Sequence, residues 1–148
     1  MTNILIVYGS STGNTGKLTL HLANVFREAN FEVTAKPAVA CNIESMTDYD
    51  IILLGSSTWG NGSLQDSMKQ FYFKMDSVEL AGKKAAAFGP GDAKSYPRSF
   101  CKAVDMLENK LVSRGAEIIV PGLKIDGDAD SFKTKIVEWA ETIIPSIK

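Results

Sequence analysis

Cysteine and histidine are almost missing from this chain, with two of the first and one of the second among 148 residues. Cys41 and Cys101 have no CxxC partner, which excludes a zinc or thioredoxin motif of that kind. Two free, buried thiols in a reducing cytoplasm are expected, although two cysteines can in principle pair. The lone His21 falls in a helical stretch away from the candidate loops and reads as a partly covered structural residue. No Ser-His-Asp or Cys-His arrangement stands near those loops, and no metal cluster is evident. Long apolar runs are missing too: none approaches the roughly 18 residues that a membrane span needs. The start of the chain lacks a basic region followed by an apolar stretch and a small-residue cleavage site. A cytoplasmic protein without membrane insertion is therefore expected. Charge of one sign is not in excess, since 16 basic against 17 acidic residues leave a formal net charge of -1 and a pI near 5.8. Neither value suggests a nucleic-acid partner.

What the chain does have is alternation. Hydrophobic residues make up 45% of it, enough for one domain over residues 1–148. Strand-length apolar runs are expected at Asn3–Tyr8, Phe31–Ala35, Ile51–Gly55, Lys83–Gly89 and Glu117–Ile125. The run Ile51–Gly55 is continuously apolar, as a strand covered on both faces should be. Pro121-Gly122 interrupts the fifth run, which argues for an edge strand or a bulge. Between the strands, helical periodicity covers Thr15–Ala29, Leu64–Met75, Ser99–Arg114 and much of Asp128–Ile147. Phe100, Val104, Leu107 and Leu111 would face inward, and Gly115 stands where a C-cap glycine belongs. Residues 36–48 permit a loop with at most a short helix. The alternation implies an α/β fold, a doubly wound parallel sheet of five strands with helices on both faces. Ligands of such folds bind beyond the carboxyl ends of the strands. The loops after strands one, three and four are the expected site.

The first of these reads Ser10-Ser11-Thr12-Gly13-Asn14-Thr15, between a buried strand and a helix start. Unpaired N–H groups, the helix dipole and several hydroxyls make a cradle for an anion, built from neutral donors because the loop holds no Lys or Arg. It is not a P-loop: Ser11 occupies the place of the first required glycine, and Leu18 follows Lys17. The dinucleotide pattern GxGxxG is also absent. A single phosphomonoester suits the loop better than a pyrophosphate. The second loop, Ser56-Ser57-Thr58-Trp59-Gly60-Asn61-Gly62-Ser63, sets a tryptophan among small residues, as an aromatic plate over a flat ligand would require. Asn61-Gly62 suits a turn with positive φ, and Gly60 allows a close backbone approach. The third loop, Gly89-Pro90-Gly91-Asp92-Ala93-Lys94-Ser95-Tyr96-Pro97-Arg98, adds a second aromatic, Tyr96, and an acceptor, Asp92. Asp126-Gly127-Asp128-Ala129-Asp130 begins like a calcium loop, but Ser131 and Val137 stand where glycine and a bidentate carboxylate are needed. Asp128 or Asp130 is expected to cap the last helix instead.

Taken together, these loops resemble those of the short-chain flavodoxins, and the likeness covers essentially the whole chain. Residues 6–15 match the phosphate loop of that family, and residues 54–60 match its second loop. Phe88-Gly89-Pro90-Gly91-Asp92, Tyr96 and Phe100-Cys101 resemble its third. The fifth strand carries no long insertion, which excludes the long-chain form. The resemblance implies strand order 2-1-3-4-5, one non-covalent FMN, and a monomeric one-electron carrier that is not an enzyme. Its partners would be redox proteins: reductases, oxidoreductases and cytochromes. Residues 10–15 would hold the phosphate with Ser57 assisting. Thr58 and Asp92 would contact the ribityl chain or ring edge, with Trp59 and Tyr96 flanking the isoalloxazine. Gly89, Pro90, Gly91 and Cys101 would complete the third loop. The peptide after Gly60, followed by Asn61 and Gly62, would reorient on reduction and accept a hydrogen bond from flavin N5–H. An FMN-dependent quinone or NAD(P)H oxidoreductase is the alternative, disfavoured by the compact length. The chain departs from many relatives in charge: Asn61 and Gly62 occupy an acidic stretch, and Lys94 and Arg98 enter a longer third loop. Pro90 stands where short-chain relatives often have cysteine.

Overall fold

A computed structural model describes residues 2–9, 13–59 and 62–147. Its centre is a parallel sheet. Strand β1 (Asn3–Gly9) pairs with β2 (Glu32–Pro37) on one side and β3 (Ile51–Ser56) on the other. β3 then pairs with β6 (Lys84–Gly91), which carries the edge. Two short strands, β7 (Glu117–Ile118) and β8 (Leu123–Asp126), both pair with β6 and share the fifth place in the sheet. The order is thus the expected 2-1-3-4-5, with the fifth strand broken at Pro121-Gly122. Trp139 helps fix that break: its indole N–H donates to the Pro121 carbonyl at 2.8 Å, and its ring packs 6.4 Å from Phe88.

Period-two alternation assigns the strand side chains to two cores. Leu5, Val7, Ile52, Leu54, Ala85 and Ala87 face α2 (Asp66–Lys74) and α3 (Lys102–Ser113). Ile4, Ile6, Ile51, Leu53, Ala86 and Phe88 face α1 (Asn14–Glu28) and α4 (Lys133–Ile147). Every residue of β3 is buried, as its continuous apolar run requires. Each fully buried Leu or Ile contributes about 1.5–3 kcal/mol by leaving water. Gly55 is paired with Phe88 across the sheet, and a Cβ at Gly55 would collide with the Phe88 ring. The glycine therefore makes room for the Phe88 ring.

Helix α3 ends as expected at Gly115, whose φ is 98°. The Gly115 N–H donates to Val112 and that of Ala116 to Leu111, the paired bonds of a Schellman stop. Other boundaries differ from the sequence reading. β6 runs on through Pro90 to Gly91, so the third loop starts later than expected. The missing N–H of Pro90 is tolerated because it falls on the β3 side of β6, where the pairing with β3 ends at Phe88. α3 begins at Lys102 rather than Ser99, which leaves Phe100 packed on the core from a turn rather than from a helix. The second loop contains strand: β4 (Thr58–Trp59) and β5 (Ser63–Leu64) form a two-stranded antiparallel ribbon. Residues 38–40 and 43–48 form 3-10 turns, as the weak signal there allows. Both cysteines are free, but only Cys101 is buried; Cys41 is half-buried. Among the described residues no helix is long and apolar enough to cross a membrane.

Candidate functional site

A cleft of about 410 Å³ opens at the carboxyl ends of β1, β3 and β6. Ser57, Thr58 and Trp59 line it from the second loop, and Pro90, Gly91, Asp92 and Tyr96 from the third. Asn14 and Gly127 close the side toward the start of α1. Trp59 and Tyr96 thus share one cavity, though 37 residues separate them in sequence. Trp59 is half-buried, held in register by the β4–β5 ribbon, while Tyr96 is 42% exposed. Its volume lies in the range of small-molecule sites.

Ser10, Ser11, Thr12, Gly60 and Asn61, all expected to contribute, lie outside the described residues. The helix start beside them is described. Gly13 precedes α1 with φ 92°, a conformation that suits glycine, and it brings no side-chain cap. The first turn of α1 contains no acidic residue. No carboxylate of that turn offsets the positive end of the dipole. Thr15 is buried at this point, with its carbonyl accepting the Thr19 hydroxyl at 2.9 Å.

The third loop is held by local bonds. Tyr96 N–H donates to the Asp92 carbonyl at 2.9 Å, and the Asp92 carboxylate accepts the Ser95 N–H at 3.0 Å. The backbone and hydroxyl of Ser95 hold the Asp92 carboxyl below the usual carboxylate range. Asp126 fastens the other end by accepting Ala93 N–H at 3.0 Å. The second and third loops meet where Ala103 N–H donates to the Thr58 hydroxyl at 3.0 Å. That bond satisfies one orphan donor at the start of α3, so Thr58 braces the two loops as well as lining the cleft.

Cys101 does not line the cleft, contrary to expectation. It is fully buried with φ 51°, and its thiol donates weakly to the carbonyls of Gly89 and Ile125 at 3.5 and 3.8 Å. Burial pushes this thiol up to about 11. It supports the loop from beneath, where a Cβ on Gly91 would stand 2.8 Å from its sulfur. Gly89 is likewise buried within β6, and its Cβ would collide with the Ser56 carbonyl oxygen. Gly62 has φ 114° and lies under the Lys102 stem rather than on the cleft wall.

Sequence reasoning missed the fourth wall of the cleft, which Gly127 lines from the segment 126–130. The Asn14 amide donates to the Gly127 carbonyl at 2.7 Å, and its oxygen accepts the Ala129 N–H at 2.8 Å. Two further contacts hold the same segment. His21 Nε2 lies 3.0 Å from Asp130, whose other oxygen is 3.6 Å from Lys17 Nζ. The His21 contact, more than Lys17, holds the Asp130 carboxyl below its ordinary range. Asp128 caps the 3-10 turn Ala129–Phe132 by accepting Ser131 N–H at 3.2 Å. The signal was available: Gly127 follows the last strand of the sheet at its carboxyl end, the end at which such folds bind ligands.

A doubly wound sheet with order 2-1-3-4-5, a helix start suited to an anion and an aromatic-lined cleft at the carboxyl ends of the strands make the arrangement in which such folds bind a ligand, FMN-binding proteins among them. The flavodoxin family model matches residues 6–139. A curated flavodoxin of Maridesulfovibrio salexigens is 39% identical, covering 99% of this chain and all of the relative. The crystal structure of oxidised flavodoxin 2 from Bacillus cereus superposes with a TM-score of 0.93 at 35% identity, covering 98% of this chain and 99% of that one. Oxidised flavodoxin 1 from the same organism gives 0.90 at 34% identity, covering 99% and 100%. The chain belongs to the flavodoxin family: it is an electron-transfer protein rather than an enzyme, and its cofactor is FMN.

Proposed function

We propose that this flavodoxin is a low-potential, monomeric carrier in the cytoplasm. It takes single electrons from a reductase and delivers them to an oxidoreductase or cytochrome. FMN supplies the capacity to accept and release electrons one at a time. The residues present fit that group. Hydroxyl and backbone donors of residues 10–15 and the first-turn N–H groups of α1, with no acidic residue among that turn, suit a phosphate dianion. Trp59 and Tyr96 suit the two faces of a planar ring, and the partial exposure of Tyr96 leaves a short path to a docked partner.

The remaining lining groups orient rather than react. Thr58 ties the second loop to α3, Asp92 and Asp126 stiffen the third loop, and Asn14 holds residues 127–129 against the helix start. Asp92, the single titratable carboxylate on the cleft wall among the described residues, is kept ionised by its bonds to Ser95. It is therefore a poor proton shuttle near neutral pH.

The observation that carries this reading is the meeting of Trp59 and Tyr96 in one cleft beside the start of α1. Purified protein is expected to show the visible absorption of oxidised flavin, to lose it on acid extraction and to regain it with FMN. A colourless protein that FMN cannot reconstitute would count against the assignment.

A further inference from the structure

We infer that the third-loop rim of the cleft is a docking surface for an acidic redox protein, with Tyr96 as the contact and Lys94, Arg98 and Lys102 as the cations that orient the partner. The inference rests on the reading of the cleft as the FMN site. Between residues 92 and 102 the chain sets three cations against one carboxylate, Asp92, although its net charge is -1 overall. Lys94, Tyr96, Arg98 and Lys102 are all exposed. Successive turns, from Tyr96 N–H to Asp92, Ser99 N–H to Tyr96 and Lys102 N–H to Ser99, hold them on one continuous segment, from which Asp92 and Tyr96 line the cleft. Lys102 lies with its stem on Gly62, so the cationic strip reaches across to the second loop.

None of the three cations has an ion-pair partner among the described residues; those pairs fall on Lys17, His21, Lys110 and Lys124. The nearby carboxylates are engaged elsewhere. Asp105 pairs with Lys124 at 2.8 Å, and Asp126 accepts the Ala93 N–H. On the opposite rim, Asp128 and Asp130 are approached by Lys17 and His21. Asp92 and Asp126 keep their charge while bonded to backbone N–H groups, so the three cations leave the side-chain charge of this rim net positive. Such a field steers encounter and sets orientation more than it adds affinity. An exposed tyrosine next to an arginine, ringed by further charge, is the composition of a protein contact. Nucleic acid calls for a longer array of phosphate contacts, and an anionic membrane for denser basic clusters.

The test uses the FMN-loaded protein, reduced and mixed by stopped flow with two one-electron oxidants. Plastocyanin is acidic and passes from Cu(II) to Cu(I); cytochrome c is basic and passes from Fe(III) to Fe(II). Each takes one electron from the anionic reduced flavin, and that first electron leaves without a proton. The rate with plastocyanin is expected to fall about tenfold between low and high salt, as steering is screened. The triple variant K94E/R98E/K102E should lose about the same factor at low salt and gain rate with cytochrome c. The milder K94Q/R98Q should shift both rates in the same directions, by less. A wild-type preference for cytochrome c at low salt, or no change in either variant, overturns the docking surface alone. So does salt-sensitive binding to anionic vesicles or single-stranded DNA without a plastocyanin response. A chain that takes up no FMN overturns the functional reading and this surface together.

Discussion

Replacing Asn14 by alanine removes two hydrogen bonds at once, at 2.7 Å to the Gly127 carbonyl and at 2.8 Å from the Ala129 N–H. Each is worth about 0.5–1.5 kcal/mol net, and the first is exposed, so about 1–2 kcal/mol is expected for the pair. In a domain of this size that lowers the melting temperature of the apoprotein by about 2–8 °C. Gly127 lines the cleft, so loosening it should weaken FMN and riboflavin alike, by about 5–30-fold. Asn14→Asp separates this brace from the phosphate cradle. Aspartate keeps an acceptor for Ala129 N–H but cannot donate to Gly127. It also puts a negative charge into a first turn that has none. Against a nearby phosphate that charge costs on the order of 1 kcal/mol or more, an effect riboflavin does not feel. The affinity ratio of FMN to riboflavin, measured by fluorescence quenching, should hold in Asn14→Ala and drop about tenfold or more in Asn14→Asp. If Asn14→Ala impaired FMN while leaving riboflavin untouched, the side chain would be a phosphate ligand and the bracing argument would fail.

Three other perturbations check different parts of the structure. Gly55→Ala drives a Cβ into the Phe88 ring and should cost about 1–3 kcal/mol by denaturant titration, with no loss expected if the ring can swing aside. The Cys101 thiol stays protonated in the fold to about pH 11 but ionises near 9.0 once the chain is open. Its contribution of about 2–3 kcal/mol is therefore complete below pH 9 and declines as pH rises toward 11. Cys101→Ser should flatten that alkaline decline, and in wild type a disulfide reagent at pH 8 should modify Cys41 before Cys101. Lys94→Glu/Arg98→Glu should lower the potential of the second electron, because the fully reduced flavin is anionic and loses two nearby cations; an unchanged or raised value in a potentiometric titration would contradict this.

Wherever the amino-acid pattern has to satisfy burial, the fold was legible in the sequence. The run Ile51–Leu54 reads as a strand covered on both sides because only that environment accepts four consecutive large apolar residues. Gly115 marks the stop of α3 because its positive φ is costly for other residues. The ribbon over 58–64 was not legible: with two residues per strand it has no periodicity, and its pairing exists only once the central sheet delivers its ends. The start of α3 was misread for a related reason. Phe100 continues the apolar spacing of the helix, but the left-handed conformation of Cys101 breaks the chain direction between them, and spacing carries no record of φ.

The site divides along the same line. Loops with distinctive chemistry, such as a tryptophan among small residues, announce themselves because no structural role explains them well. Cys101 shows the converse: the resemblance of Phe100-Cys101 to the family's third loop implied a place at the ligand, whereas burial turned its thiol onto the Gly89 and Ile125 carbonyls. Residues 126–130 were hidden by a sufficient structural explanation. Asp128 does cap a helical turn, so the pattern looked complete. What reveals the second role is the long-range pair from Asn14, which spans more than 110 positions and spends both ends of one amide on this segment. A side chain in the first turn of an anion-binding helix would be expected to turn its donor toward the anion. Here that donor is committed to the backbone of the fourth wall, so the cradle and the wall are built as one unit. A substitution in either should therefore be felt by the other.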